Sequence, residues 1–144
     1  MTRARVTFSP EVFDAICDRM ADGESLRKIC SSDDMPSKGT VMRWLAEDED
    51  GRLRDQYARA RDMQADAIFD ECLDIADDGV NDWVADQEGG DQYNGDHVQR
   101  ARLRIDTRKW MAGKLRPKKY GDKLDVDLNG TLNVNVADTF PSDE

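Results

Sequence analysis

Apolar residues recur at helical spacing through most of this chain, and the places where the period breaks divide it into parts. Pro10 after Ser9 suits the first turn of a helix, and Val12, Phe13, Ile16, Cys17 and Met20 give that helix one apolar face before Gly23 ends it. Ser25, Leu26, Ile29 and Cys30 fit a second, short helix over 25–32, stopped by Asp33, Asp34 and Pro36. Ser37 then reads as an N-cap, and Val41, Trp44 and Leu45 form the inward stripe of a third helix over 38–47. A small shared core of Val12, Phe13, Ile16, Leu26, Ile29, Val41, Trp44 and Leu45 follows.

From Gly51 to Ala76 the pattern stays helical without a proline, which predicts a rod of about 40 Å. Its apolar stripe is narrow at first (Leu53, Tyr57, Ala60) and then widens through Ala65, Ile68, Phe69, Cys72, Leu73 and Ile75. A helix apolar on two sides needs two neighbours, and in a short chain the second is expected to be another subunit. Residues 79–97 read as a mobile acidic loop with Trp83 and Tyr93 as anchors. Helix resumes over 98–115, with Val98, Ala101, Ile105, Ala112 and Leu115 on one side and Leu103 and Trp110 on another. This helix can fold back antiparallel on residues 62–77, apolar against apolar and basic against acidic, until Pro117 ends it and KKYGDK connects onward.

The stretch LDVDLNGTLNVNV, residues 124–136, alternates apolar and polar around Asn129 and Gly130, the signature of a β-hairpin. A two-residue Asn-Gly loop would split the hydrophobics between faces. A three-residue loop ending on Gly130 pairs Val126 with Leu132 and Leu124 with Val134 and gives one apolar face. An isolated hairpin is marginal in water, so closure of several copies into a sheet or barrel is expected. The fold class is therefore mainly α, with a three-helix module over 1–50, a central helical hairpin over 51–120, a β-hairpin over 121–137 and a flexible tail over 138–144.

Charge sharpens this division. The formal net charge is −10, against a protein that coats nucleic acid with its whole surface. Residues 65–96 hold eleven acids and no Lys or Arg, whereas residues 97–123 hold ten basic residues and two acids. No apolar run approaches a membrane span, and the N-terminal residues lack the apolar stretch of a secretory signal, so a cytoplasmic protein with no membrane partner is expected. Cys17, Cys30 and Cys72 sit at apolar helical positions without paired spacing, as buried thiols in a reducing compartment. Asp70, Asp74 and Asp77 could in principle hold a divalent ion for nuclease chemistry, but a solvated acidic face explains them more simply. No catalytic residue, metal site or cofactor is expected: one histidine, His97, serves neither a zinc site nor a triad, and no G-x-x-x-x-G-K-[ST] loop is present.

The second and third helices carry the sharper functional signal. With Val41, Trp44 and Leu45 inward, the third helix presents Lys38, Thr40, Met42 and Arg43, the geometry of a helix-turn-helix recognition helix in a major groove. Arg27 and Lys28 on the preceding helix and Arg3 and Arg5 on the N-terminal arm would add backbone contacts. A plain helical hairpin with solvated basic residues, or a dimeric helix-turn-helix transcription regulator, fits the same pattern.

Three blocks carry a resemblance. SLRKICSSDDMPSKGTVMRWL, RDQYARARDMQADAIFDECLDIADD and ARLRIDTRKWMAGKLRPKKYGDKLDV, spanning most of residues 23–126, are similar to the small terminase subunits of tailed double-stranded DNA phages, most specifically in ARLRIDTRKW and PKKYGDK. The resemblance implies a non-enzymatic protein of the host cell cytoplasm that recognises double-stranded viral DNA at packaging initiation. It implies a homo-oligomeric ring, an octamer or nonamer, and delivery of DNA to the large terminase subunit, which carries the ATPase and nuclease. Within that architecture the oligomerisation residues would be Ile68, Phe69, Cys72, Leu73, Ile105, Trp110, Val126, Leu132 and Val134. The acidic stretch 79–97 is longer than the family pattern and bears on the outer rim of such a ring.

Overall fold

The computed structural model describes residues 6–122; Arg3, Arg5 and the hairpin predicted to carry Val126, Leu132 and Val134 lie outside them. Three helices come first: α1 (Pro10–Ala21), α2 (Leu26–Ile29) and α3 (Lys38–Ala46). Each starts where a serine hydroxyl accepts a backbone N–H otherwise left open at a helix start: Ser9 from Val12, Ser25 from Lys28 and Ser37 from Thr40, all at 3.2 Å. Phe13, Ile16, Met20, Ile29 and Val41 are fully enclosed between them, with Leu26, Trp44 and Ala60 beside them. Each such side chain contributes about 1.5–3 kcal/mol on burial.

The long helix α4 (Arg52–Asp77) starts at Gly51, whose φ of 78° no other residue adopts as cheaply. Gly51 has no side chain to cap with, and the preceding acids do that work: Asp50 accepts from the Arg52 N–H at 3.1 Å and Asp48 from the Arg54 N–H at 3.0 Å. The Arg52 bond, placed where the helix dipole favours negative charge, holds the Asp50 carboxyl below its ordinary range. The first half of α4 packs on α1, placing Leu53, Tyr57 and Ala60 against the three-helix core. Gln64 completes the join. Fully buried, it donates from Nε2 to the Glu24 carbonyl at 2.6 Å and accepts from Arg61 at 2.9 Å. Gly23 turns the chain at a φ of 100°, which favours glycine, and a Cβ there would be in ordinary contact with that of Ala67 at 3.5 Å.

Two short strands, β1 (Trp83–Ala85) and β2 (Asp91–Tyr93), pair antiparallel with Trp83 opposite Tyr93, so the stretch 79–97 read as a mobile acidic loop contains a hairpin. Next comes α5 (Gly95–Leu115), three residues earlier than the periodicity predicts because Asn94 caps it, accepting from the His97 N–H at 3.3 Å. As expected, α5 returns antiparallel along α4. Arg108 grips Glu71 with two hydrogen bonds of 2.8 and 3.0 Å, and the Cys72 thiol reaches the Ile105 carbonyl at 3.9 Å. Pro117 ends α5 but also starts a last turn, α6 (Pro117–Tyr120). Gly113 admits that turn: a Cβ on it would stand 3.2 Å from the Tyr120 carbonyl.

Folding back brings three donors onto one carboxylate. Asp66 accepts from Arg116 at 3.0 Å, Lys119 at 3.0 Å and the Tyr120 hydroxyl at 2.7 Å, while the Tyr120 ring stacks on Phe69 at 4.5 Å. The Tyr120 and Lys119 bonds pull the Asp66 pKa down to about 2. A carboxylate whose pKa is depressed on folding stabilises the fold fully above its unfolded pKa of about 4. That stabilisation is lost as pH falls toward about 2, so thermal unfolding midpoints should drop across this window. In Asp66→Asn the drop over the same window should be shallower. At the other join, Gln64→Leu leaves the partly buried Glu24 carbonyl without its donor, and a urea titration should show a loss of about 1–3 kcal/mol.

Candidate nucleic-acid interface

The α3 helix is held by its inward residues: Val41 is fully buried, and Trp44 is edge-on to Phe8, centroids 5.2 Å apart at 82°. Its other side is open. Lys38, Gly39, Met42 and Arg43 are exposed and Thr40 is half-buried. Thr40 serves the start of the helix as well as its face, because its hydroxyl hydrogen-bonds the Ser37 hydroxyl at 3.0 Å. Gly39 has no steric reason to be glycine, since a Cβ there would meet only Ser37 Oγ, at 3.9 Å. The helix therefore begins with a bare, low-relief surface between a lysine and a threonine.

On α2, Arg27 and Lys28 are exposed. Behind them a charged network fixes the turn out of α1. Arg19 holds both oxygens of Glu24, at 2.9 and 2.8 Å, and reaches the Ser32 hydroxyl at 3.1 Å, so one guanidinium ties α1 to the α2–α3 connection. These bonds lower the Glu24 pKa and raise that of Arg19. Lys28 leans on the same carboxylate at 3.7 Å, with most of its side chain in solvent. No local pattern marks Arg19 for this role, because its partners lie five and thirteen residues away.

The connection from α2 to α3 spans residues 30–37, longer than the three or four residues of a strict helix-turn-helix turn. It is nonetheless built, with Met35 and Pro36 buried and Met35 N–H bonded to the Ser32 carbonyl at 3.2 Å. Beyond the C-terminal end of α3, residues 6–8 and the acids Glu47, Asp48, Glu49 and Asp50 line an open groove of about 950 Å³ that includes Arg43. Asp48 spends its charge inward, on Arg54. The remaining acids leave the basic character of the face at the start of α3 and on α2, where Lys38, Arg27 and Lys28 stand.

The residues read as oligomerisation contacts separate into two sets. Ile68 is buried, while Cys72 and Ile105 are half-buried where α4 meets α5. Phe69, Leu73 and Trp110 are exposed, together with Met63 and Leu103, and both Leu73 and Trp110 show 66% of their surface. Among the described residues no group of three or more His, Cys, Asp or Glu is placed to hold a metal ion, and no helix is long and apolar enough to cross a membrane.

Residues 8–127 match the family model described as Bacteriophage Sf6, terminase small subunit-like. Three solved structures, all single-substitution variants of the terminase small subunit gp1 of the bacterial virus Sf6, are similar to this chain. One is 44% identical with a TM-score of 0.66, and two are 43% and 42% identical with TM-scores of 0.65. Each similarity covers 87% of this chain and 85% of the other. Nothing among curated proteins matches. The helical architecture and the sequence similarity agree: the chain belongs to the Sf6 terminase small subunit-like family.

Proposed function

We propose that this chain is the non-enzymatic DNA-recognition and assembly component of a viral packaging machine. It binds double-stranded viral DNA through α2 and α3, assembles into a ring through its central helices, and delivers DNA to the large terminase subunit in the host cytoplasm. The observation that carries the reading is the face of α3 with Lys38 and Arg43 exposed and Thr40 half-buried between them, set opposite a fully buried Val41. Lys38 and Arg43 supply the main contacts, with Arg27 and Lys28 on the phosphate backbone and Arg3 and Arg5 reaching from the arm. One such face offers few phosphate contacts and binds weakly; a ring multiplies it. The exposed Met63, Leu73, Leu103 and Trp110 on the central hairpin support assembly, because apolar side chains of this size gain by being covered.

Two measurements test this. In Lys38→Ala/Arg43→Ala, DNA affinity should fall, and the slope of log K against log salt should lessen by about two for each bound module. The assembled mass should stay that of the wild type; loss of assembly in this variant would refute the separation of DNA-binding and assembly surfaces. Light scattering coupled to size exclusion should find one species of many subunits without DNA. A monomer or dimer would overturn the ring and favour a dimeric regulator on paired half-sites.

A further inference from the structure

The β1–β2 hairpin follows the C-terminal end of α4, whose other end packs on α1, and among the described residues nothing buries its strands. Trp83 and Tyr93 face one another across the strands with ring centroids 5.6 Å apart at 64°, and they show 61% and 54% of their surface. All six strand residues are exposed, and Val80 just before them is 82% exposed. Two aromatic rings on so short a pair of strands contribute no core. A two-stranded hairpin is marginal alone, yet this one is fastened at both ends.

At its turn, one oxygen of Asp86 accepts from the N–H groups of Glu88 and Gly90, both at 2.8 Å, and Gly89 supplies a φ of 83°. At its base, the Asn94 N–H bonds the Asp82 carbonyl at 2.7 Å, and the Asp82 carboxylate meets the His97 ring at 3.1 Å. Those two contacts join the strands to the first turn of α5. The aromatic pair is thus displayed on a preformed platform, which lowers the ordering cost of binding.

Charge selects what can bind there. Between Arg61 and Arg100 the chain has no lysine or arginine, and residues 77–96, which contain the hairpin, hold seven acids. Nucleic acid and anionic lipid are repelled. A cationic protein segment is attracted, and an arginine side chain matches both features, its guanidinium stacking on an indole face while neighbouring carboxylates accept its hydrogen bonds. We propose that the hairpin is a docking arm for a partner protein, taking an arginine-rich segment with aliphatic residues between its arginines. This goes beyond the DNA-binding and ring reading and stands or falls separately from it.

The test uses the full chain and a short fluorescent peptide of alternating arginine and leucine, with a citrulline–leucine peptide as control, followed by anisotropy. The arginine peptide should bind saturably and the control at least about tenfold more weakly. Trp83→Ala/Tyr93→Ala should weaken arginine-peptide binding by about tenfold. Because that variant can also unfold the hairpin, Glu88→Gln/Asp91→Asn, which keeps both rings and the Asp86 turn, should weaken it as well and flatten its dependence on salt. Assembled mass and DNA affinity should be unchanged in both variants. Equal affinity for the two peptides, or undiminished binding in either variant, would overturn the proposal. A change of assembled mass in the glutamine–asparagine variant would assign the hairpin to contacts between copies and overturn it equally.

Discussion

Gln64 donates to the Glu24 carbonyl from a position with no solvent contact, and the orientation of α1, α2 and α3 relative to the rest of the chain depends on that join. A buried amide is costly to leave unpaired, so it admits one seating of the α1–α2 turn against α4 where apolar packing alone would tolerate several. Around it Gly23 lies in van der Waals contact with Ala67, and at the surface Gln56 donates to Asp14 at 2.6 Å. The Glu24 backbone thus faces α4 while its carboxylate, held by Arg19, faces α2 and Lys28. The same residue joins the long helix to the basic face.

The acids of this chain divide by use rather than by position. Asp48 and Asp50 cap α4, Glu71 and Asp66 clamp α5 and α6, and Asp86 builds a turn. These carboxylates are spent on backbone N–H groups, on the cations Arg108, Arg116 and Lys119 and on the Tyr120 hydroxyl, where charge strengthens a hydrogen bond. Those around the hairpin, Glu88 and Asp91 among them, stay exposed and give that pole its sign. Residues 1–50 themselves hold eleven acids against seven Lys or Arg, so the basic face is a local one, made where Arg27, Lys28 and Lys38 stand exposed.

Much of this was legible in the sequence. The Ser37 cap, the Val41 and Trp44 stripe, the unbroken period from residue 51 to 76 and the antiparallel return all follow from local rules, and the structure carries each, while the caps of Ser9 and Ser25 emerge only from it. The exposure of Lys38 and Arg43 was legible for the same reason: once Val41 and Trp44 point inward, the lysine and the arginine must point out. Contacts between residues far apart were not. Gln64 reads as an ordinary polar helical residue, Arg19 as a solvated one, and Tyr120 as part of a basic connection, until folding brings partners 40, 13 and 54 residues away within reach. The β1–β2 hairpin escaped because strands of three residues leave too little alternation to separate from a loop.

The unbroken run of α4 turns the module and the hairpin into opposite arms of a lever. From Gln64 to Asp77 the helix extends about 20 Å beyond the join. Closure of a ring at eight rather than nine copies changes the rotation between neighbours by about 5°. Over that arm such a rotation moves the far end by only about 2 Å. For an assembly of this kind, the count of copies would be set by side-chain packing along the helix, and a change of one methylene at the join would be felt as geometry at the tip.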